Sequence, residues 1–126
     1  MKRTLGIDYG SKRIGVALTN EVGDFALPYS VVQNSKNVID DILKICTENN
    51  ISKVVVGESK DFAGRDNVIM KNINTFVGQL RERDIEVVLH PEFLTSAQAE
   101  HIQGKNGMLD ASAAAIILQS YIDTHK

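Results

Sequence analysis

Short apolar runs separated by tight turns make up the first part of the chain, which is the pattern of an antiparallel meander. Two such runs, at 3–9 and 13–20, are joined by a turn that contains Gly10. Strands joined so closely pair antiparallel. A second turn precedes a less regular strand at 25–33, in which Pro28 indicates an edge or a bulge. We therefore predict three consecutive antiparallel strands.

The rest of the chain alternates between helical spacing and short β-branched runs. Helices are predicted around 38–46 and over 68–83, 96–103 and 110–122, and strands over 51–56 and 85–89. Ser35 is expected to cap the first helix, and Gly57 to Arg65 reads as a polar loop. This order predicts an α/β fold with a mixed five-stranded sheet, antiparallel in its first three strands and parallel afterwards, with helices on both faces.

Composition and charge narrow the class of protein. The chain has 126 residues, 43% of them hydrophobic and 24% charged, as expected for one soluble globular domain. Its single cysteine, Cys46, excludes an internal disulfide and fits a reducing compartment. Without an apolar stretch of membrane-spanning length or a signal peptide, we expect a cytoplasmic protein with no membrane partner. A net charge of −2 does not by itself indicate nucleic-acid binding, nor exclude it, because the local charge at a site decides.

Asp8 is a carboxylate inside the first apolar run. Strand alternation places it on one face with Thr4 and Gly6, whose small size leaves open space beside it. Because an unpaired charge at the centre of a sheet is costly, a bound cation would offset that cost. An aspartate that merely begins the turn at Tyr9-Gly10 is the alternative, and this strand alone does not decide between them.

Asp110 is the second candidate carboxylate. It begins a helical stripe that packs on the sheet and continues through Ala113, Ala114, Ile117, Leu118 and Tyr121. The common alternative for an aspartate in front of a helix is an N-cap. However, the small residues over 111–115 would let the helix approach a strand closely, which a cap does not require.

Glu58 and Glu92 each follow a predicted parallel strand, at the edge where α/β proteins bind ligands. Alone, each glutamate reads as a solvated loop residue. Together with Asp8 and Asp110 they would form an acidic cluster that suits Mg²⁺ or Mn²⁺. Two such ions about 4 Å apart can activate water and stabilise a leaving oxygen in phosphodiester hydrolysis.

Several basic and polar residues are candidates for phosphate contacts. Lys12 and Arg13 lie in or just after the turn that follows Asp8, and Ser11 lies in that turn. Arg65 is in the polar loop, and Lys105 is in a Gly-rich turn before Asp110. Each has an alternative as a solvated charge, a turn-forming residue or part of a helix stop.

Three segments carry a resemblance to a known family. They are 6–17 (GIDYGSKRIGVA), 92–100 (EFLTSAQAE) and 110–119 (DASAAAIILQ). In order and along the whole chain they resemble the motifs of the YqgF family, also called RuvX-like. The resemblance implies one ribonuclease H-like domain over 1–126 and a metal-dependent nuclease that trims the 5′ end of precursor 16S ribosomal RNA. It also implies that Asp8, Glu92 and Asp110 are the catalytic and metal-binding residues.

The chain departs from the family pattern at two places. Phe93 stands where the family usually has an arginine, so that cation is missing or is supplied by Lys12, Arg13, Arg65 or Lys105. Glu58-Ser59 stands where a Leu-Pro pair is usual. In the RuvC-type arrangement a catalytic glutamate lies near the end of that strand, so Glu58 could add a fourth ligand or replace Glu92.

Other functions stay open at this point. Branched DNA is the alternative substrate, and a junction resolvase would normally need two active sites in a symmetric homodimer. A non-catalytic RNA-binding module would tolerate the loss of Asp8. The phosphate loop of the actin and sugar-kinase ATPases is also similar to the segment from Asp8 to Ser11. That interpretation is disfavoured because 126 residues leave no room for a second domain.

Overall fold

A computed structural model describes residues 3–10, 12–20, 22–58, 68–91 and 107–124; the side chains of 58, 68–70, 91 and 107–110 lie outside that description. The elements are β1 (Arg3–Tyr9), β2 (Arg13–Thr19), β3 (Ala26–Gln33), α1 (Val38–Glu48), β4 (Ile51–Glu58), α2 (Val68–Arg81), β5 (Glu86–Pro91) and α3 (Gly107–Thr124). Among these elements, no helix combines the length and hydrophobicity required to cross a bilayer.

The strands form one mixed sheet in the order β3-β2-β1-β4-β5. β2 pairs antiparallel with both β1 and β3, whereas β4 pairs parallel with both β1 and β5. This confirms the predicted five-stranded mixed sheet. It also places β1, the strand that carries Asp8, at the centre of the sheet. β2 and β3 lie on one side of β1, and β4 and β5 lie on the other.

Alternation along the strands divides the core into two layers. Leu5 and Ile7 of β1 are fully buried in the larger cluster, together with residues of α1 and α2 such as Ile42 and Leu80. Gly6 faces α3, where a smaller cluster consists of Ala17, Val55, Ala114, Ile117 and Leu118. Helices therefore cover both faces of the sheet, as predicted.

The outer strand β3 confirms the interpretation of Pro28. The register of β2 and β3 shifts between Val16, which pairs with Ser30, and Ala17, which pairs with Pro28. One residue of β3, Tyr29, is thus left over, as in a β-bulge. Proline lacks the backbone N–H needed in a regular ladder, so it is tolerated at an edge strand or a bulge.

Several predicted boundaries were wrong, among them the end of α2, which was expected at Arg83 and lies at Arg81. β4 includes Gly57 and Glu58, which were expected in a loop, because their pairing with β5 extends the sheet. β5 likewise includes His90 and Pro91, which were expected to stop it. α3 begins at Gly107, so Asp110 lies inside its first turn and is not the N-cap.

α1 begins at Val38, as the apolar spacing predicted, but the predicted N-cap was wrong. Asn37, not Ser35, is the N-cap residue. Ser35 lies two residues earlier, where its hydroxyl accepts a hydrogen bond from the Asn37 N–H (3.2 Å) and its carbonyl accepts one from the Val38 N–H (3.1 Å). The polar turn thus continues two residues past the expected cap. The helix predicted over 96–103 lies outside the described residues.

Cys46 gives a direct test of the packing of α1. Its side chain is buried in the larger cluster, and burial raises the pKa of the thiol to about 11. Relative to a thiol of pKa about 9, the thiolate population at pH 8 falls about 100-fold. We expect the folded protein to react with an aromatic disulfide reagent at least about 100-fold more slowly than the protein in urea. Rapid stoichiometric reaction of the folded chain would contradict this packing.

Candidate functional site

Asp8 lies near the end of the central strand, and its side chain is half-buried. Its partner in β2 is Gly15. Ile7 pairs with Val56 of β4, so the next step of that register puts Gly57 beside Asp8 on the other side. Asp8 is therefore flanked by glycine on both neighbouring strands. No side chain of these neighbours occupies the space beside the carboxylate.

This origin of the open space differs from the sequence-based expectation. The expected room lay along β1, above Gly6 and Thr4. In the structure α3 fills the room above Gly6, because a Cβ at that position would lie 2.7 Å from the Leu118 Cβ. The space beside Asp8 comes instead from the glycines across the sheet. The predicted close approach of α3 to a strand is confirmed.

The contacts of α3 show which way it runs across the sheet. Tyr121, near its end, accepts a hydrogen bond from the Lys53 Nζ near the start of β4 (3.1 Å). Gly6 lies two residue steps farther along the same sheet direction, and there the contacts are with the earlier helix residues Ala114 and Leu118. α3 therefore runs antiparallel to β1 and β4, and its start lies at the end of the sheet where these strands finish.

This direction brings the positions of Asp8 and Asp110 to the same level. Asp8 follows Gly6 by two strand residues, or about 7 Å. Asp110 precedes Ala114 by one helical turn, or about 6 Å. Because Ala114 lies over Gly6, the backbones of the two acidic positions lie at the same level near one end of the sheet. The structure thus brings together two positions that are far apart in the sequence.

The structure describes the backbone of one glutamate candidate, Glu58, but not the other, Glu92. Glu58 is the last residue of β4. Its strand position is thus one step past Gly57, the neighbour of Asp8. Glu92 lies outside the described residues, directly after Pro91, which pairs with Glu58. β4, which ends at Glu58, and β5, which precedes Glu92 in the sequence, both finish at the end of the sheet where Asp8 lies.

The donor chemistry fits a hard divalent cation. Asp8 is a half-buried carboxylate with glycine on both sides, and the other candidates are all carboxylates. Such oxygen donors are those that Mg²⁺ and Mn²⁺ prefer. Among the side chains that the structure describes, no three His, Cys, Asp or Glu groups come together. This finding covers Asp8 but not Glu58, Glu92 or Asp110, whose side chains are outside the description.

The turn after Asp8 is shaped by Gly10 and held by Asn34. A Cβ at Gly10 would overlap the backbone oxygen of Arg13, so only glycine fits this turn. The Asn34 side-chain amide donates a hydrogen bond to the Gly10 carbonyl (2.8 Å), and its backbone N–H donates to the Lys12 carbonyl (3.0 Å). Asn34 therefore ties the turn to the end of β3. Sequence reasoning missed this role, since a lone polar residue after a strand carries no specific signal.

Of the five candidates for phosphate contacts, two lie among the residues that the structure describes. Lys12 and Arg13 are exposed at the end of the sheet where Asp8 lies. Arg13 shares the alternation parity of Gly15, the partner of Asp8, and so belongs to the same sheet face. Ser11, Arg65 and Lys105 lie outside the described residues.

The later part of α3 is anchored by polar contacts that the sequence pattern did not reveal. The Ser120 hydroxyl lies 3.0 Å from the His90 Nε2 of β5. The Gln119 side chain accepts a hydrogen bond from the Ala26 N–H of β3 (2.9 Å). The hydrogen bond to Tyr121 raises the pKa of Lys53, with burial opposing and Glu86 adding to the shift. These contacts fix the helix against both outer strands.

The amino-acid sequence is similar to one protein family over nearly its whole length. The profile of the family described as "RuvX: Holliday junction resolvase" matches residues 2–124. A relative from Endomicrobium trichonymphae, named as a candidate pre-16S rRNA nuclease, is 34% identical, and the alignment covers 98% of this chain and 96% of the relative. A protein of the same name from Phocaeicola vulgatus is also 34% identical, with 100% and 99% covered.

Solved structures share the fold. RuvC of T. thermophilus, in complex with a Holliday junction substrate, superposes with a TM-score of 0.62 at 18% identity, covering 99% of this chain and 96% of that one. The fowlpox virus resolvase, in complex with Holliday junction DNA, gives a TM-score of 0.59 at 11% identity, with 98% of each chain covered. At these identities the likeness establishes the fold alone. The expected ribonuclease H-like fold is confirmed.

Proposed function

Because this chain belongs to the RuvX family, we propose that it is a divalent-metal-dependent nuclease that matures the 5′ end of precursor 16S ribosomal RNA in the cytoplasm. The observation that carries this proposal is the placement of Asp8. It is a half-buried carboxylate on the central strand, flanked by glycine and level with the first turn of α3. The names of the relatives support the choice of RNA as substrate.

The proposed roles of the acidic residues come from the family motifs and, for Asp8, also from its position on the central strand. Asp8 would contact two Mg²⁺ or Mn²⁺ ions, and Glu92 and Asp110 would each hold one of them. Glu58 would assist, in a secondary role because its strand position is one step past the neighbour of Asp8. Bound ions of this kind supply an activated water and charge stabilisation at the leaving oxygen. The protein supplies oxygen ligands on a rigid strand and helix.

Positive charge for the phosphate backbone is proposed to come from the turn after Asp8. Lys12 and Arg13 are exposed there, and Asn34 fixes the turn that carries them. They would replace the arginine that the family has where this chain has Phe93. Ser11, Arg65 and Lys105 are proposed as further phosphate contacts from the sequence alone.

A cleavage assay tests the function and the substrate together. The purified protein is incubated with a labelled precursor RNA that carries the 16S 5′ end and, separately, with a four-way DNA junction. We expect cleavage of the RNA with Mg²⁺ or Mn²⁺ and complete loss of cleavage in EDTA, because carboxylates alone do not activate water for this reaction. Restored activity after the metal is added back excludes irreversible unfolding as the cause.

The family description favours a second candidate, a Holliday junction resolvase. Symmetric, metal-dependent nicking of the junction without RNA cleavage would support it. It would also require a homodimer, since two strands must be cut. Binding of RNA without cleavage, unchanged in EDTA, would contradict both candidates and indicate a binding module.

A further inference from the structure

A cleft lies beside the acidic end of the sheet, on the opposite face from α3. Its volume is about 340 Å³, and it is formed by the end of β1, the segment between β3 and α1, and one side of α2. The residues that matter for its chemistry are Tyr9, Asn34, Lys36, Asn72, Phe76 and Gln79. Cavities of this size accept small organic groups.

We propose that this cleft binds an unpaired nucleobase of the strand that is cleaved, next to the scissile phosphate. This inference rests on the proposed nuclease function and adds a substrate subsite to it. Asp8, Lys12 and Arg13, the site residues assigned above whose side chains the structure describes, do not line this cleft.

The wall of the cleft nearest the acidic end is aromatic. The Tyr9 and Phe76 rings lie 5.2 Å apart between centroids, at an interplanar angle of 57°. Phe76 is buried at 3% exposure, which fixes the pair, whereas Tyr9 is half-buried and keeps part of its surface open. Unpaired bases are commonly held by stacking on such aromatic side chains.

The α2 side of the cleft also carries amide groups. Asn72 and Gln79 are exposed on α2, and within the described ranges no hydrogen bond occupies either side chain. An amide offers a donor and an acceptor together, which matches the paired donor and acceptor atoms at a base edge. Aromatic rings with such amides beside them suit a flat, polar ring better than a purely apolar ligand.

The charge at the cleft suits a nucleotide. Lys36 is exposed at the cleft, and its ammonium group can approach a phosphate. Among the described residues that line the cleft there is no Asp or Glu. The described part of the cleft wall therefore places no carboxylate against the backbone of a nucleic acid.

The position of the cleft relates it to the cleavage site. Tyr9 directly follows Asp8, so their Cα atoms are about 3.8 Å apart, and their side chains leave opposite faces of β1. A strand that crosses the end of β1 could thus place a phosphate at Asp8 and an adjacent base against Tyr9. Only an unpaired nucleotide exposes its face and edge in this way.

The test compares two asparagines on α2. Asn72 lines the cleft, whereas Asn74 is also exposed but does not line it. Binding of a short single-stranded RNA, and of the four nucleoside 5′-monophosphates, is followed in EDTA by NMR. We expect the signals of Tyr9, Asn72 and Gln79 to shift. In the Asn72→Ala/Gln79→Ala variant the RNA should bind about fivefold more weakly, as for one lost hydrogen bond, and Asn74→Ala should bind normally.

A kinetic arm uses the metal-loaded enzyme. The double variant should raise KM about fivefold with kcat unchanged, because the cleft binds ground state and transition state alike. RNA binding without shifts in the cleft overturns the inference, as does an unchanged KM in an active enzyme. Binding of monophosphates but not RNA also overturns it. Absence of cleavage by the wild-type protein contradicts only the proposed function, since the binding arm still decides the inference.

Discussion

Replacing Asp8 by Asn should abolish cleavage while leaving the protein folded. The change keeps the shape of the side chain but removes the charge that would hold both ions. Metal ions supply several kcal/mol of transition-state stabilisation, and each factor of ten in rate corresponds to about 1.4 kcal/mol. A loss of about 10³-fold or more in kcat is therefore expected. The measurement is cleavage of precursor RNA at saturating Mg²⁺, with unfolding by urea recorded for the same preparation.

Asp41→Asn is the matched control. Asp41 is exposed on α1, which packs on the face of the sheet opposite to α3. We expect this variant to cleave RNA at the wild-type rate, which would show that the loss at Asp8 is not an effect of net charge. Retained cleavage by pure Asp8→Asn would refute the assignment of Asp8. Loss of activity together with loss of structure would show that Asp8 is needed for folding.

The Gly6→Ala variant should be both less stable and less active. Its new Cβ would lie 2.7 Å from the Leu118 Cβ and 3.0 Å from the Ala114 backbone oxygen. Neither atom is the far end of a flexible side chain, so α3 must move away from the sheet. Overpacking of this kind costs about 1–3 kcal/mol of unfolding free energy. A displacement of about 1 Å at a catalytic group costs about 100-fold in rate, and α3 carries Asp110.

Gly78→Ala makes the same chemical change as Gly6→Ala, but it should have the opposite effect on stability. A Cβ at Gly78 meets no atom within 4 Å. Alanine is favoured over glycine inside a helix by about 0.5–1 kcal/mol, so this variant should be slightly more stable. Urea unfolding gives the stabilities, and RNA cleavage is measured well below the unfolding transition. Wild-type stability in Gly6→Ala would mean that α3 does not approach β1 as closely as the structure shows.

Much of the fold could be predicted because its signals are local. The hairpin of β1 and β2 follows from two apolar runs with almost no chain between them, and the helical stripe of α2 follows from residue spacing. Element boundaries were less predictable. β4 continues through Gly57 and Glu58 because β5 pairs with them, and that pairing joins residues about thirty positions apart, beyond the reach of local propensity.

The candidate site, like the fold, was only partly predictable from the sequence. Asp8 and Asp110 could be found from the sequence, because a carboxylate on an apolar strand face or helix stripe breaks a regular pattern. Their common level at one end of the sheet could not, since it depends on the direction in which α3 packs over Gly6. The glycines beside Asp8 also acquire their meaning only from the register of three strands.

The linear pattern of residues was thus sufficient for the class of fold, the order of the described strands and helices, and the choice of acidic candidates for the site. Periodicity and residue type act over a few neighbouring positions, so a chain displays them directly. Tertiary packing alone established how closely α3 approaches β1, how Asn34 holds the turn after Asp8, and that a cleft opens between Tyr9 and α2. Those features arise where segments distant in sequence meet, and their geometry depends on the shapes of both partners.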